Sequence, residues 1–272
     1  MSVHPSAVIA EGARIPKSCA IGPFCTVGPG VELGEECTLI SHVVIDGRTR
    51  IGARNIFYPF GSIGLAPQDL KYTGEPTQTE IGDGNTIREC VTINRGTNGG
   101  GGVTRIGSNN LLMVGAHLGH NVRLGDNVIL ANNVLLGGYA EVHDRVFIGG
   151  GSVVHQFTRM GVISLMQGIS GVGKDVPPFA IAAGKDGIAA INVIGLRRAG
   201  YGPALRKEVK EAFSLLYHSG LNASQAQEES GRRSWSKEVA LFWDFVASSK
   251  RGICPMVRWG EVKEATFTDD QG

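Results

Sequence analysis

Two of the seven histidines, His117 and His120, stand close together in Gly115-Ala116-His117-Leu118-Gly119-His120-Asn121. A neutral imidazole, with a reference pKa of about 6.5, can take a hydroxyl proton near pH 7. Eighteen residues after His120 comes Gly138, and eighteen later Gln156. A backbone N–H with no side chain in front of it can donate to a tetrahedral oxyanion. An amide beside it can orient a polar substrate. Base, N–H and amide on one ridge are the parts of an acyl transfer that needs no serine or cysteine nucleophile. A lone histidine in a wall of structure is usually just hydrogen-bonded or solvated; the eighteen-residue interval is what singles out His120.

That interval belongs to a repeat. Every sixth residue from Val3 is aliphatic or aromatic: Ile9, Ile15, Ile21, Val27, Leu33, Leu39, Ile45, Ile51, Phe57 and Ile63. The frame is lost around 64–80 and returns at Ile81, Ile87 and Ile93. A glycine-rich interruption covers 97–105. The frame then resumes, shifted by one, at Ile106 and holds through Leu112, Leu118, Leu124, Leu130, Leu136, Val142, Ile148, Val154, Met160, Met166 and Val172. Neither an α-helix nor an ordinary alternating strand requires a strict period of six. A short strand plus a turn does. Three such units close a triangular coil of 18 residues, and coils stack at strand spacing, roughly 4.8 Å. No coil buries its apolar residues alone, so the stack is the stable object. His120, Gly138 and Gln156, in one phase, should line one groove. Spacing does not set the hand of the coil.

Glycine supplies 40 of 272 residues without a collagen triplet, which predicts many tight turns. The five cysteines, Cys19, Cys25, Cys37, Cys90 and Cys254, have no paired spacing, so they read as free thiols in a reducing cytosol. No run of about 18 apolar residues spans a membrane. No basic stretch leads an apolar run at the N-terminus, so no signal peptide is expected. A net charge of +1 gives no reason to expect nucleic acid.

The hexads stop at Val172 and Pro177-Pro178 follow. Beyond about 192 the pattern turns helical. Pro203 suits a first helical turn, and Leu205, Val209, Ala212, Phe213, Leu216 and Tyr217 follow at spacings of three and four. Gly220 is placed to end that helix. Ser236 is placed to cap another, carrying Val239, Ala240, Phe242, Trp243 and Val246. Residues 264–272 read as frayed. The expected division is a parallel β-helix over 1–190 and a helical domain over 191–272.

The hexads resemble the left-handed β-helix acyltransferases, and that resemblance supplies the hand. Longer segments narrow it. Gln68-Asp69-Leu70-Lys71-Tyr72, Gly74-Glu75-Pro76-Thr77, Ile87-Arg88-Glu89, Asn110-Leu111-Leu112-Met113, His155-Gln156-Phe157, Asp175-Val176-Pro177-Pro178 and Gly195-Leu196-Arg197-Arg198 are similar to the acyl-carrier-protein-dependent UDP-N-acetylglucosamine O-acyltransferases. The resemblance implies that His120 is the base for the sugar 3-hydroxyl and that the Gly138 N–H faces the thioester oxygen. It implies sugar-nucleotide or acyl contacts at Asp69, Lys71, His117, His155 and Gln156, and nucleotide contacts at Asn192 and Arg198. It makes Gly168 the residue that limits acyl length. It implies a cytoplasmic homotrimer with sites between subunits, an acidic acyl carrier protein as donor, and no tightly bound cofactor or metal. Arg197, Arg198, Arg206, Lys207 and Lys210 against Glu208 alone offer that carrier a basic surface. Gly168 lies 48 residues past His120, about 13 Å along the axis at ~4.8 Å per coil. That suits a long donor, around C12–C14 as the resemblance implies.

Four positions depart from the pattern. Asn121 follows His120 where an aspartate is typical, Tyr139 stands for a histidine, Ile194 for a glutamate and Ala199 for a second arginine. An amide accepts a hydrogen bond but does not stabilise an imidazolium as an anion does. A 3-amino-3-deoxy sugar, giving an amide product, is therefore the alternative acceptor. The related N-acyltransferase of the same pathway is a rival. A hexapeptide-type zinc enzyme needs three converging histidines, and only two stand near each other. A scaffold or ice-binding solenoid would show an outward ladder of one residue type, and the outward positions here are mixed.

Overall fold

The structure, a computed structural model, describes residues 2–257. Almost every hexad forms a strand of two to four residues that pairs in parallel with the strand one coil away; the one at Ile15 makes only a single bridge, Arg14 to Glu32. Leu118 pairs with Leu136, and Leu136 with Val154. The result is a left-handed parallel β-helix of three sheets. The first contains Ala20–Ile21, Leu111–Leu112, Phe147–Ile148 and their equivalents, the second Thr26–Val27, His117–Leu118 and theirs, the third Val31–Leu33, Arg123–Leu124 and theirs. Strands this short have no independent stability. The inward residues supply it: Ile45, Phe57, Ile63, Ile87, Ile93, Leu112, Leu118, Leu130, Leu136 and Ile148 are wholly buried in one continuous core. Each such side chain contributes about 1.5–3 kcal/mol on burial.

Many glycines do turn left-handed, Gly47, Gly64, Gly115 and Gly151 among them, but they share that work. Many left-handed corner positions belong to larger residues, among them Phe24, His42, Phe60, Asn121, Tyr139 and Phe157. The glycine that follows an inward aliphatic residue answers to a close approach instead. A Cβ on Gly52, Gly107 or Gly125 would lie 2.1–2.2 Å from a carboxyl oxygen of Asp83, Asp126 or Asp144. Those carboxylates accept the N–H groups of Ala53, Ser108 and Asp126 at 2.8, 2.6 and 2.8 Å, tying coil to coil.

Two interruptions reach out of the coils. Residues 66–77 are held by Arg95, whose Nε donates to the Tyr72 hydroxyl (2.9 Å) and whose guanidinium reaches the Gly64 carbonyl (3.0 Å). Residues 98–100 form a single 3₁₀ turn. The solenoid ends in an antiparallel pair, Ala180–Ala183 with Gly187–Ile191.

Four helices follow: α1 Val193–Arg198, α2 Pro203–Tyr217, α3 Ala223–Ser230 and α4 Lys237–Ala247. Pro203 opens α2 and Ser236 caps α4 as the sequence suggests. Helix α2 stops before Gly220: His218 is its cap, donating to the Ser214 carbonyl, and Gly220 turns left-handed two residues on. Helix α3 has no counterpart in the sequence reading, because only Ala226 and Ser230 of it are buried. Val209, Ala212, Phe242 and Trp243 share a second core with Ile163 and Phe179 from the solenoid corners. Arg159 joins the two bodies. It pairs with buried Asp175 at 2.9 Å and donates to the Phe245 carbonyl and the Ser248 hydroxyl at the end of α4. Among the described residues no helix is long and apolar enough to cross a membrane. The fraying expected for 264–272 lies outside the described residues.

Candidate active site

Leu118, Leu136 and Val154 stack in register inside the second sheet. Two residues on from each, His120, Gly138 and Gln156 stand at the corner between the second and third sheets, just before the left-handed Asn121, Tyr139 and Phe157. The imidazole lies directly over the glycine: a Cβ on Gly138 would be 2.7 Å from His120 Nε2 and 2.8 Å from Cε1. Any side chain there would evict the ring, which is the physical reason for glycine. The Gly138 N–H enters no backbone hydrogen bond among the described residues. Equivalent corner positions share that property; the histidine placed against it is what distinguishes this one.

A cleft of about 570 Å³ opens here, lined by Asp69, Lys71, His120 and Gln156 together with Thr97 and Tyr139. Asp69 and Lys71 come from the 66–77 loop, in a turn where the Asp69 carboxylate accepts the Lys71 backbone N–H at 3.0 Å. Four candidates separated by as many as 87 residues thus share one cavity. An acid, an ammonium, an imidazole and an amide together suit a polar, anionic substrate.

Behind the base, Asn121 Oδ1 lies 2.9 Å from His120 Nδ1 and accepts both the backbone N–H and the hydroxyl of Thr97, each at 2.9 Å. The Tyr139 hydroxyl is 2.9 Å from that of Thr97.

The remaining candidates lie elsewhere in the chain. His117 projects from the second sheet, its Nδ1 2.7 Å from the Thr92 hydroxyl, and burial pushes its pKa below the usual histidine value. In the outward row of its sheet it follows Thr92 and is succeeded in register by Leu135 and Val153, both exposed. His155 is exposed, with Nδ1 3.1 Å from the Gln156 carbonyl oxygen. Gly168 lies at the corner between the first and second sheets, where a Cβ would meet the Gly150 carbonyl oxygen at 3.2 Å. Asn192 and Arg198 line a second pocket of about 620 Å³ with Arg145, Phe147, Leu165 and Ile194. Asn192 is also structural there: it caps α1 by accepting the Gly195 N–H (2.9 Å) and donates to the Ile163 carbonyl (2.8 Å). Leu135, Val153 and Arg145 escaped the sequence reading. The signal for the first two was available, since a hexad whose outward neighbour is apolar covers something other than water. Among the described residues no three His, Cys, Asp or Glu side chains are grouped to hold a metal.

Residues 104–138 match the bacterial transferase hexapeptide family, whose six repeats correspond to the hexads of this solenoid. The chain is an acyltransferase of this class. Residues 175–254 match the family described as UDP N-acetylglucosamine O-acyltransferase, domain 2. The UDP-N-acetylglucosamine O-acyltransferase of Moraxella catarrhalis is 41% identical, over 93% of this chain and 100% of its own, with a TM-score of 0.88. LpxA from Acinetobacter baumannii is 39% identical, over 92% and 98%, at 0.87. The Francisella novicida UDP-N-acetylglucosamine acyltransferase is 35% identical, over 99% and 100%, at 0.91. The chain belongs to the UDP-N-acetylglucosamine O-acyltransferase family.

Proposed function

We propose that this enzyme moves an (R)-3-hydroxyacyl chain from acyl carrier protein to the 3-hydroxyl of UDP-N-acetylglucosamine, the first step of lipid A synthesis, in the cytoplasm. The observation that carries the reading is the imidazole of His120 laid against Gly138 in a cleft shared with Asp69, Lys71 and Gln156. His120 Nε2 takes the hydroxyl proton as the sugar oxygen attacks the thioester carbon. The Gly138 N–H donates to the oxyanion. Collapse of the intermediate breaks the C–S bond, and the departing thiolate takes the proton back from Nε2. Products are an ester and a free carrier thiol, with the histidine neutral again.

A homotrimer completes the site in this reading. The cleft at His120 and the pocket at Asn192 and Arg198 share no lining residue, so a neighbour brings the second to the first. The exposed row at Leu135 and Val153 receives the acyl chain, which ends at Gly168. His155, beside Gln156, borders the sugar. The carrier docks on the exposed cations Arg197, Arg198, Lys207 and Lys210; Arg206 is instead held by the Tyr201 carbonyl at 2.8 Å.

One observation favours a second acceptor. The group behind His120 is an amide, Asn121. A hydroxyl must lose its proton as it attacks, whereas an amine attacks with its own lone pair and needs less help from an imidazolium. A 3-amino-3-deoxy UDP-sugar, forming an amide, is that acceptor. Mass spectrometry of products from the two UDP-sugars in competition decides between them. The expected product is the ester on UDP-N-acetylglucosamine; a dominant amide selects the amino sugar. His120→Ala should lower turnover by about 10²–10⁴ without loss of fold. Near-normal turnover in that variant removes His120 as the base.

A further inference from the structure

The hydrogen bonds behind His120 have only one consistent direction. A backbone N–H can only donate, so the Asn121 atom that meets Thr97 N–H is its oxygen. The Asn121 NH₂ accordingly donates to the Thr97 carbonyl, at 3.1 Å. An amide oxygen can only accept. His120 Nδ1, 2.9 Å from it, therefore carries the ring hydrogen. Nε2 is left with its lone pair, facing Gly138. The Thr97 hydroxyl commits its hydrogen to the same Asn121 oxygen. The Tyr139 hydroxyl, 2.9 Å away, then donates to Thr97.

We propose that Thr97 and Tyr139 are positioning residues for acyl transfer, holding His120 through Asn121 in the tautomer that leaves Nε2 free to take the acceptor's proton. The proposal rests on the reading of His120 as the base. Tyr139 is itself fixed, edge-on to His120 (5.2 Å, 89°) and stacked on Phe157 (4.6 Å, 16°). The glycines after Thr97 fit around it. A Cβ on Gly100 would lie 2.2 Å from Tyr139 Cε1, and one on Gly99 would lie 3.0 Å from the hydroxyl oxygen. The glycine-rich interruption is thus a strap shaped to the tyrosine, with Thr97 as its buckle to Asn121. An amide at the end of the chain does not accept a proton, so the network fixes a tautomer and relays no charge. Orienting groups of this kind set which ring nitrogen of a histidine is available.

The test uses the full-length enzyme with Tyr139→Phe, Thr97→Val and the double variant. Each single change should lower kcat about tenfold, the scale of one lost supporting hydrogen bond, with both KM values within about twofold. Because the two residues act in one chain, the double variant should be no slower than Thr97→Val alone. Nitrogen-15 NMR of the His120 ring in the substrate-free enzyme should report Nδ1–H in the parent and a smaller Nδ1–H fraction in the variants, in which the Thr97 backbone still holds Asn121. Unchanged kcat in both single variants overturns the proposal. So do additive losses, and so does a loss of rate with the parent tautomer intact. If Thr97→Val does not fold, Tyr139→Phe keeps the ring stack and carries both readouts. The NMR measurement involves no substrate, so it stands whichever sugar is the acceptor. Activity retained in His120→Ala would remove the base while leaving the tautomer measurement in place.

Discussion

The outer face of the third sheet and those of the first two are built on the same inward hexads and carry opposite chemistry. Along the third sheet the outward position reads Arg14, Glu32, Arg50, Glu80, Arg105, Arg123, Glu141 and Arg159, in register from coil to coil. Over the later coils, after Thr86 and Thr92, the first reads Leu111, Ile129, Phe147 and Leu165, and the second His117, Leu135 and Val153. Several of the charges pair, Arg14 with Glu32 at 3.1 Å and Arg105 with Glu80 at 2.9 Å. Exposed pairs of this sort contribute about 0–1 kcal/mol each. Their consequence is a face that stays wet. Phe147, Leu135 and Val153 are left open at 36%, 43% and 44%, and contiguous exposed apolar surface marks a partner or ligand. Inward positions make the solenoid; outward positions decide what each side of it meets.

The sharpest way to break this contrast is to put one carboxylate on each kind of face. Phe147→Glu should abolish the proposed trimer and with it the turnover, since an unpaired charge buried at an interface costs several kcal/mol and threefold symmetry repeats it. Arg123→Glu, on the third sheet, should leave mass and turnover within about twofold of the parent. Light scattering and a thioester-release assay on both variants measure this. A fully active Phe147→Glu trimer would show that the first sheet does not face a neighbour.

The inward frame was legible because a period of six, sustained over twelve positions from Ile106 to Val172, admits little else. The ridge of His120, Gly138 and Gln156 followed from the same arithmetic. Asp69 and Lys71 have no period, and only the resemblance of their segment drew them in. The strap was hidden for a different reason. Thr97 and Asn121 are 24 residues apart and Thr97 and Tyr139 are 42 apart, and Thr97 stands at the start of an interruption that erases the phase. Glycine was read as turn-forming, which many glycines are; its second duty, clearance for a carboxylate of the next coil at Gly28, Gly52, Gly107 and Gly125, leaves no trace in local propensity. Helix α3 was missed because a helix with two small buried residues shows no stripe.

A smaller effect belongs to the corner where the two apolar faces meet. Asn132, Gly150 and Gly168 share a phase there, and a Cβ on Gly168 would point at Gly150. Gly168→Met fills that end of the proposed acyl track. Overfilling an apolar slot costs about 1–3 kcal/mol, so the product ratio from C10, C12 and C14 donors in competition should move towards C10 by about tenfold. An unaltered ratio would place the ruler elsewhere.

The smallest effect concerns His117, which leads into the apolar stretch of the second sheet's row. Burial lowers its pKa from the ordinary 6.5, so the unfolded chain takes up the proton before the folded chain does. Its contribution to stability is therefore complete above pH ~6.5 and is lost as pH falls from there through the folded value. His143, at the edge of the third sheet and edge-on to Phe245 at 5.7 Å, is also lowered, chiefly by burial, with Glu141 opposing. It serves as the matching control on the charged face. His117→Asn should reduce the fall in Tm between pH 7.5 and 5.5 by about 1–2 °C, the response of a domain this size to roughly half a kcal/mol. His143→Asn should do less, because the charges beside it already favour its protonated form in part. Scanning calorimetry at the two pH values measures both. Equal effects from the two histidines would mean that the charged face shields its imidazole no better than the apolar one. An unchanged acid response in His117→Asn would mean that the ring is hydrated in solution and that its place beside Leu135 is open to water.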